Sequence, residues 1–364
     1  MAMQDLERLI DGDGHVMEDV QAIVDRLPEA YRSGNGSAIR DPFPPIDHLH
    51  SSNKHKVPDG AFAPVGVEGW KDFMQDLAMD STVLYTTRGL GFGKIVSKDW
   101  AIALARAYND FMYDTYMKDQ GGRFQVMGLI PLQDPHAAVE ELTRISKDYG
   151  MCGAMLPSTG AQGMQSHLGN ERYWPIYEAA QDLGMALGIH GGAHDNMLMD
   201  DMSPYAPVNA LGHPIGQMVN FAGIIFNGVF DKYPGVKIGF LEAGCGWLLA
   251  CMERFSGSWA SHVQYDPNGR FLQLGKGESV HDYINRHIDA GRIYVGVEGD
   301  ELTLASAVRI TGNKPYIFSS DFPHEVNNES CKAEIAELRD NPELTDADKA
   351  AILHANSLAF YSLK

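Results

Sequence analysis

Leu9-Ile10-Asp11-Gly12-Asp13-Gly14-His15 is the stretch on which the fold turns. Leu9 and Ile10 begin a short apolar strand, and Asp13-Gly14-His15 closes it. Alternate residues of a strand point the same way, so Asp13 and His15 present two metal-binding side chains on one face. Three later apolar runs finish in a similar way, at Ile189-His190, Leu241-Glu242 and Ser320-Asp321. Strand ends far apart in sequence converge on one mouth only when a parallel sheet closes into a barrel.

The rest of the chain supplies the missing staves. Short apolar or β-branched runs recur near 8–13, 82–86, 124–130, 152–156, 186–190, 237–242, 292–297 and 315–320, with helical periodicity between them. Asp134-Pro135 reads as an N-cap followed by proline at the first helical position, and Ala138, Val139, Leu142, Ile145 and Tyr149 form an apolar stripe ending at Gly150. Gly184 ends a helix carrying Trp174, Ile176, Ala180 and Leu183, and Thr345 caps one carrying Ile352, Leu353, Ala359 and Phe360. The expected class is α/β, a (β/α)8 TIM barrel forming a single domain over residues 1–364. A bare barrel needs about 250 residues. The surplus falls in long insertions after strands 1 and 5, expected as lid-like segments over 16–81 and 191–217.

Composition narrows the functional classes. The 364 residues are 44% hydrophobic and 21% charged, which suits a globular protein. A formal charge of −19 repels phosphate backbones and anionic membrane surfaces, so neither nucleic acid nor membrane is an expected partner. Cys152, Cys245, Cys251 and Cys331 have no C-x-x-C spacing, no apolar run reaches the length of a membrane span, and the N-terminus has no signal-like segment. A cytoplasmic location is expected.

Asp13, His15, His190 and Asp321 combine two imidazoles with two carboxylates, a donor set suited to zinc, manganese or iron. A catalytic ion with an open position lowers the pKa of water from about 15.7 to about 7, and a neighbouring carboxylate can take the proton. Asp321 and Glu242 are the candidates for that role. An isolated Asp-x-His is common by chance; the matching strand ends give it meaning.

In order and placement, the Asp-x-His opening, Gly128-Leu-Ile-Pro-Leu-Gln133, His190, Tyr233-Pro-Gly-Val-Lys237, Phe240-Leu-Glu-Ala-Gly-Cys-Gly-Trp247, Ser320-Asp-Phe-Pro-His324 and the closing Asn356 helix resemble the amidohydrolase-related metal-dependent hydrolases and decarboxylases. That family includes γ-resorcylate decarboxylase and aminocarboxymuconate semialdehyde decarboxylase. The resemblance implies that Asp13 and His15 are first-strand ligands, His190 the fifth-strand ligand, and Asp321 an eighth-strand carboxylate touching both ion and water. It also implies a homodimer or higher homo-oligomer. Where those decarboxylases carry a sixth-strand histidine, this chain has Glu242.

A third carboxylate favours proton transfer in hydrolysis, or a second ion if Glu242 is itself a ligand. The expectation is therefore a hydrolase acting on an ester, lactone, amide or thioester of a partly apolar, aromatic-derived small molecule, with one ion favoured over two and zinc favoured over manganese or iron. The alternative is a nonoxidative decarboxylase of an aromatic or unsaturated acid. His194 and His213 in the post-strand-5 segment, and His324 three residues after Asp321, are candidates for substrate contact or proton transfer; each also reads as a structural hydrogen-bonding residue. Arg88 is read as a carboxylate clamp or an ion-pair partner, and Cys245 as a small buried thiol.

Overall fold

Eight parallel strands pair in chain order in the computed structural model, which describes residues 8–32, 41–49, 59–160, 166–262, 265–266 and 268–364. They are β1 (Ile10–Val16), β2 (Ser81–Thr86), β3 (Phe124–Leu129), β4 (Gly153–Pro157), β5 (Ala186–His190), β6 (Lys237–Phe240), β7 (Ile293–Val297) and β8 (Tyr316–Phe318). Every residue of β4, β5, β7 and β8 is buried, as expected for strands enclosed by helices on one side and the barrel core on the other. This is the expected (β/α)8 barrel.

The seam between β1 and β8 is closed differently from the seven laddered pairs. His15 N donates to Phe322 O at 2.7 Å and Asp321 N to Asp13 O at 3.1 Å. A buried carboxylate does the rest. Asp11 accepts from Thr82 Oγ1 at 2.7 Å and from both N and Oγ of Ser320 at 2.9 Å, joining β1, β2 and the residues after β8. Burial pushes Asp11 up to about 6, although these hydrogen bonds favour its ionised form. The β1–β2 register shifts between Asp11 and Gly14. Gly14 is required there, because a Cβ would lie 2.4 Å from Trp70 Cη2 and 2.6 Å from Asp11 Oδ2.

The helix signals hold. Asp134 caps helix Pro135–Arg144 through His136 N and Ala137 N, Gly150 and Gly184 adopt the left-handed conformation at helix ends, and Thr345 forms a capping box with Asp348. Strand ends needed correction. β1 runs three residues beyond the expected stop at 13, so Asp13 and His15 lie within it, whereas β6 stops at Phe240 and β8 at Phe318.

The first insertion contains helices Val20–Asp25, Glu29–Arg32 and Gly66–Asp76; its segments 33–40 and 50–58 lie outside the described residues. The second is shorter than expected. A 22-residue helix, Tyr205–Phe226, begins inside the 191–217 segment and carries Pro214 in its interior. Interior proline costs a helix about 3 kcal/mol. Here the buried face of Val208, Gln217, Asn220, Phe221 and Ile224 outweighs that cost.

Candidate metal centre and barrel mouth

β1 carries Asp13 and His15, β5 ends on His190, and the residues just past β6 and β8 supply Glu242 and Asp321. Glu242 (φ 55°) and Asp321 (φ 53°) both adopt left-handed backbone, which costs a side-chain-bearing residue about 1–2 kcal/mol. Their neighbours hold the geometry. Leu241 N donates to Ile189 O at 2.9 Å, and Gln217 Nε2 bridges Ile189 O and Leu241 O at 2.8 and 2.9 Å. His324 N donates to Asp321 O at 2.9 Å.

Asp13 Oδ1, His15 Nε2 and His190 Nε2 converge without hydrogen-bond partners, and Asp321 groups in the same way with His15 and His324. His15 Nε2 lies 3.7 Å from Asp13 Oδ1 and 3.5 Å from Asp321 Oδ1, and His190 Nε2 lies 3.4 Å from Asp13 Oδ1. Ligand atoms about 2.0–2.2 Å from a common ion sit at such separations. Unsatisfied buried acceptors are costly unless something binds them. The opposite ring nitrogen of His15 meets Thr86 O at 2.9 Å, which orients its Nε2 inward. These residues fit a divalent ion.

Around this set stand the remaining candidates. Glu242 Oε2 is 3.2 Å from His190 Nδ1 and 3.7 Å from His213 Nδ1, and its Oε1 is 4.0 Å from His324 Nδ1. Burial, with Asp13 and further carboxylates nearby, pushes Glu242 up to about 8 against the pull of His190. Burial and Glu242 likewise raise Asp321 well above the usual carboxylate range. Burial alone would lower His190, but Asp13 and Glu242 hold it up at about 9.

His324 is closer to the centre than its position after Pro323 suggested. Its Nδ1 is 2.7 Å from Asp321 Oδ1, its Nε2 2.8 Å from Thr87 Oγ1, and its ring stacks on His15 at 4.0 Å. His194 lies farther out, buried between Asp47, 3.4 Å from its Nδ1, and the His213 ring at 4.7 Å. Arg88 pairs with Asp41. Cys245 is a buried thiol 3.3 Å from Thr303 Oγ1, and burial pushes it up to about 12.

Two cavities flank the centre. On the β1–β2 side, about 440 Å³ is walled by Met17, Phe43, Pro44, Ile46 and Phe62, with Arg88 at its margin. On the β6–β8 side, about 420 Å³ is lined by Glu242, Glu298, Asp321, Glu325, Glu334 and His213, among others. Sequence reading missed Glu298, Glu325 and Glu334. Glu298 was within reach, since it follows β7 as Glu242 follows β6; Glu334 sits on helix Asn328–Asp340 and carries no local signal. Asp11 was also missed, because the irregularity between Asp11 and Gly14 breaks the alternation that would relate it to Asp13.

Comparison with known proteins gives these features a context. The profile described as amidohydrolase matches residues 10–363. γ-Resorcylate decarboxylase of Polaromonas sp. strain JS666 is 26% identical, over 71% of this chain and 76% of its own length. The 2-amino-3-carboxymuconate-6-semialdehyde decarboxylase of Dictyostelium discoideum is 24% identical, over 87% of this chain and 84% of its own. Among solved structures, the Polaromonas dihydroxybenzoic acid decarboxylase with bound manganese and 2-nitroresorcinol superposes with a TM-score of 0.67 at 20% identity, covering 98% of this chain and 96% of that one. The 5-carboxyvanillate decarboxylase of Sphingomonas paucimobilis gives 0.69 at 20% identity, with coverage of 98% and 99%.

These relatives overturn the hydrolase expectation, because they are decarboxylases. The physical argument behind that expectation rested on Glu242 as a bare extra negative charge. In the structure the imidazoles of His190, His213 and His324 surround it, so it is not a bare charge.

Proposed function

The chain belongs to the amidohydrolase family, and from that premise we propose that it is a metal-dependent, nonoxidative decarboxylase of a hydroxylated aromatic carboxylic acid. What carries the reading is the buried carboxyl of Glu242, pushed up to about 8, beside a buried donor set and an apolar cavity, in a chain whose named relatives remove carboxyl groups.

Asp13, His15, His190 and Asp321 would hold one divalent ion. Manganese in the related structures favours that metal over the zinc expected from the sequence. When bound, the ion would neutralise the anionic oxygens of the substrate, so that an aromatic acid can approach a mouth rich in carboxylates.

The chain's own residues do the remaining work. Phe43, Ile46 and Phe62 pack the ring, and Arg88 can exchange Asp41 for an anionic group of the substrate. Glu242 donates a proton to the ring carbon that bears the carboxylate. The bond from that carbon to the carboxylate then breaks, its electrons restore aromaticity, and carbon dioxide leaves. Glu242, left ionised, is stabilised by His190, His213 and His324 until it regains a proton from solvent.

The manganese-loaded protein tests this when incubated with 2,6-dihydroxybenzoate and 5-carboxyvanillate in deuterated water. The expected result is release of carbon dioxide from at least one, with deuterium at the vacated ring carbon and no solvent oxygen in the product. Acids that turn over with solvent oxygen incorporated and no carbon dioxide would sink the proposal.

A further inference from the structure

The β1–β2 cavity is larger than a single aromatic ring requires. A cavity of about 150 Å³ suffices for one benzene. This one holds about 440 Å³, within the range that encloses drug-sized ligands. Its wall is also uniform in kind. Met17, Phe43, Pro44, Pro45, Ile46 and Phe62 are apolar, and the polar side chains beside them are already engaged, Arg88 with Asp41 and Thr87 Oγ1 with His324 Nε2 at 2.8 Å. What is left for a ligand to cover is apolar surface.

The space is built in, because its two sides are held apart by separate sets of bonds. One side is the stretch 41–49. It is seated on the loop after β2, where a Cβ at Gly91 would collide with Pro44 O, and tied to the segment after β5 by His194 N, which donates to Ile46 O at 2.8 Å. Asp41 and Asp47 turn it near its two ends, accepting from Phe43 N at 3.1 Å and from Leu49 N at 2.7 Å. The other side hangs on Glu18, a buried carboxylate outside the donor set, which accepts from Thr86 Oγ1 at 2.6 Å, Thr87 N at 2.9 Å and Arg88 N at 3.1 Å. Each side keeps its place without the other, as in a preformed pocket.

A second observation joins this space to the metal centre. Phe62 has left-handed backbone (φ 55°), which a bulky side chain adopts only at a cost and which clusters at functional sites. Its ring lies 5.6 Å from that of His324 at an interplanar angle of 24°, and His324 in turn stacks on His15 at 4.0 Å. Three near-parallel rings thus lead from the donor set to the cavity wall. A ligand ring held at the ion has the apolar space beside it.

We propose that the substrate is a two-ring aromatic acid, whose carboxylated ring lies at the His324 end of the β1–β2 cavity and whose second ring fills the remainder. This rests on the decarboxylase reading for the carboxylate and adds the second ring. Phenylalanine and proline faces suit a flat ring, which buries a large area at little conformational cost.

Resorcinol, biphenyl-2,4-diol and biphenyl-3,5-diol share one dihydroxylated ring, and the last two carry an added phenyl in different directions. Calorimetric titration into the manganese-loaded protein should show at least one biphenyldiol binding about tenfold or more tighter than resorcinol, as burial of a phenyl group provides. Ile46→Trp, which fills part of the cavity, should reduce that advantage to about threefold or less while leaving metal content and the circular dichroism spectrum unchanged. Should the buried Ile46 not tolerate the larger ring, Pro45→Trp at an exposed position of the same wall gives the same reading. Equal affinities, no saturable binding of either biphenyldiol, or an advantage that survives in the folded variant would overturn the assignment; in the last case the phenyl binds elsewhere. The probes have no carboxylate, so their ranking is independent of whether carbon dioxide is released from any acid.

Discussion

His190 and His287 are both buried histidines whose Nε2 atoms lack hydrogen-bond partners, yet their surroundings drive them in opposite directions. His190 sits between Asp13 and Glu242 and is held up at about 9. His287 packs against Phe230 at 5.0 Å and Tyr283 at 4.3 Å, where burial, then Arg292 and Arg286, lower it to about 3. An unsatisfied buried imidazole is therefore not in itself a functional site. Convergent carboxylates are what set the proposed site apart, because beside them a desolvated ring can join a cation-binding set.

The sharpest way to break the contrast is His190→Ala. Metal content by elemental analysis should fall to near zero and kcat/KM by about a thousandfold or more, with the barrel still folded. Retained stoichiometric metal would remove His190 from the donor set. Next in size is Glu242→Gln, which keeps shape but cannot donate a carboxyl proton; kcat should drop about 10²- to 10⁴-fold with metal content unchanged. Loss of the ion in that variant would make Glu242 a ligand instead.

Proton linkage sharpens the same comparison. A ring raised to about 9 is protonated in the metal-free protein at neutral pH and must lose that proton to ligate. Manganese binding at pH 7 should release protons, from His190 and from the raised carboxyl of Asp321, and affinity should increase with pH until about 9, as read by calorimetry in buffers of different ionisation enthalpy. pH-independent affinity would contradict this. For His287 the sign reverses. Its folded pKa of about 3 lies below the ordinary imidazole value of about 6.5, so its neutral form contributes stability above about 6.5, and that contribution declines as pH falls toward 3. Unfolding free energies from urea titrations between pH 6.5 and 4 should fall by up to about 1.4 kcal/mol per pH unit from this group, and His287→Gln should flatten the slope. An unchanged slope would mean that the ring is reachable by water.

Much of this contrast was legible in the residues alone. Strand-end placement marked Asp13, His15, His190, Glu242 and Asp321 because a parallel barrel converts position along a strand into position around a mouth. His324 was underrated because the consequence of Phe322-Pro323 for the next side chain depends on three-dimensional turn geometry. Glu334 was invisible for a different reason: which face of helix Asn328–Asp340 meets the β7 loop is decided by packing at Gly299. The reaction was misread at Glu242 because the neighbours that compensate a charge arrive from β5, β8 and a distant helix, not from its own strand.

The seam tied by Asp11 has a consequence for how the protein comes into being. Asp11 and Ser320 are separated by 309 residues, and the donors flanking that seam come from both its sides, Asp13 and His15 from one and Asp321 from the other. During synthesis the first stave must wait for the last. A nascent chain carries half of the proposed site through nearly all of its translation, and an ion captured early by Asp13, His15 and His190 would have no help from Asp321 until the eighth strand has emerged. The proposed site is therefore complete only at ring closure.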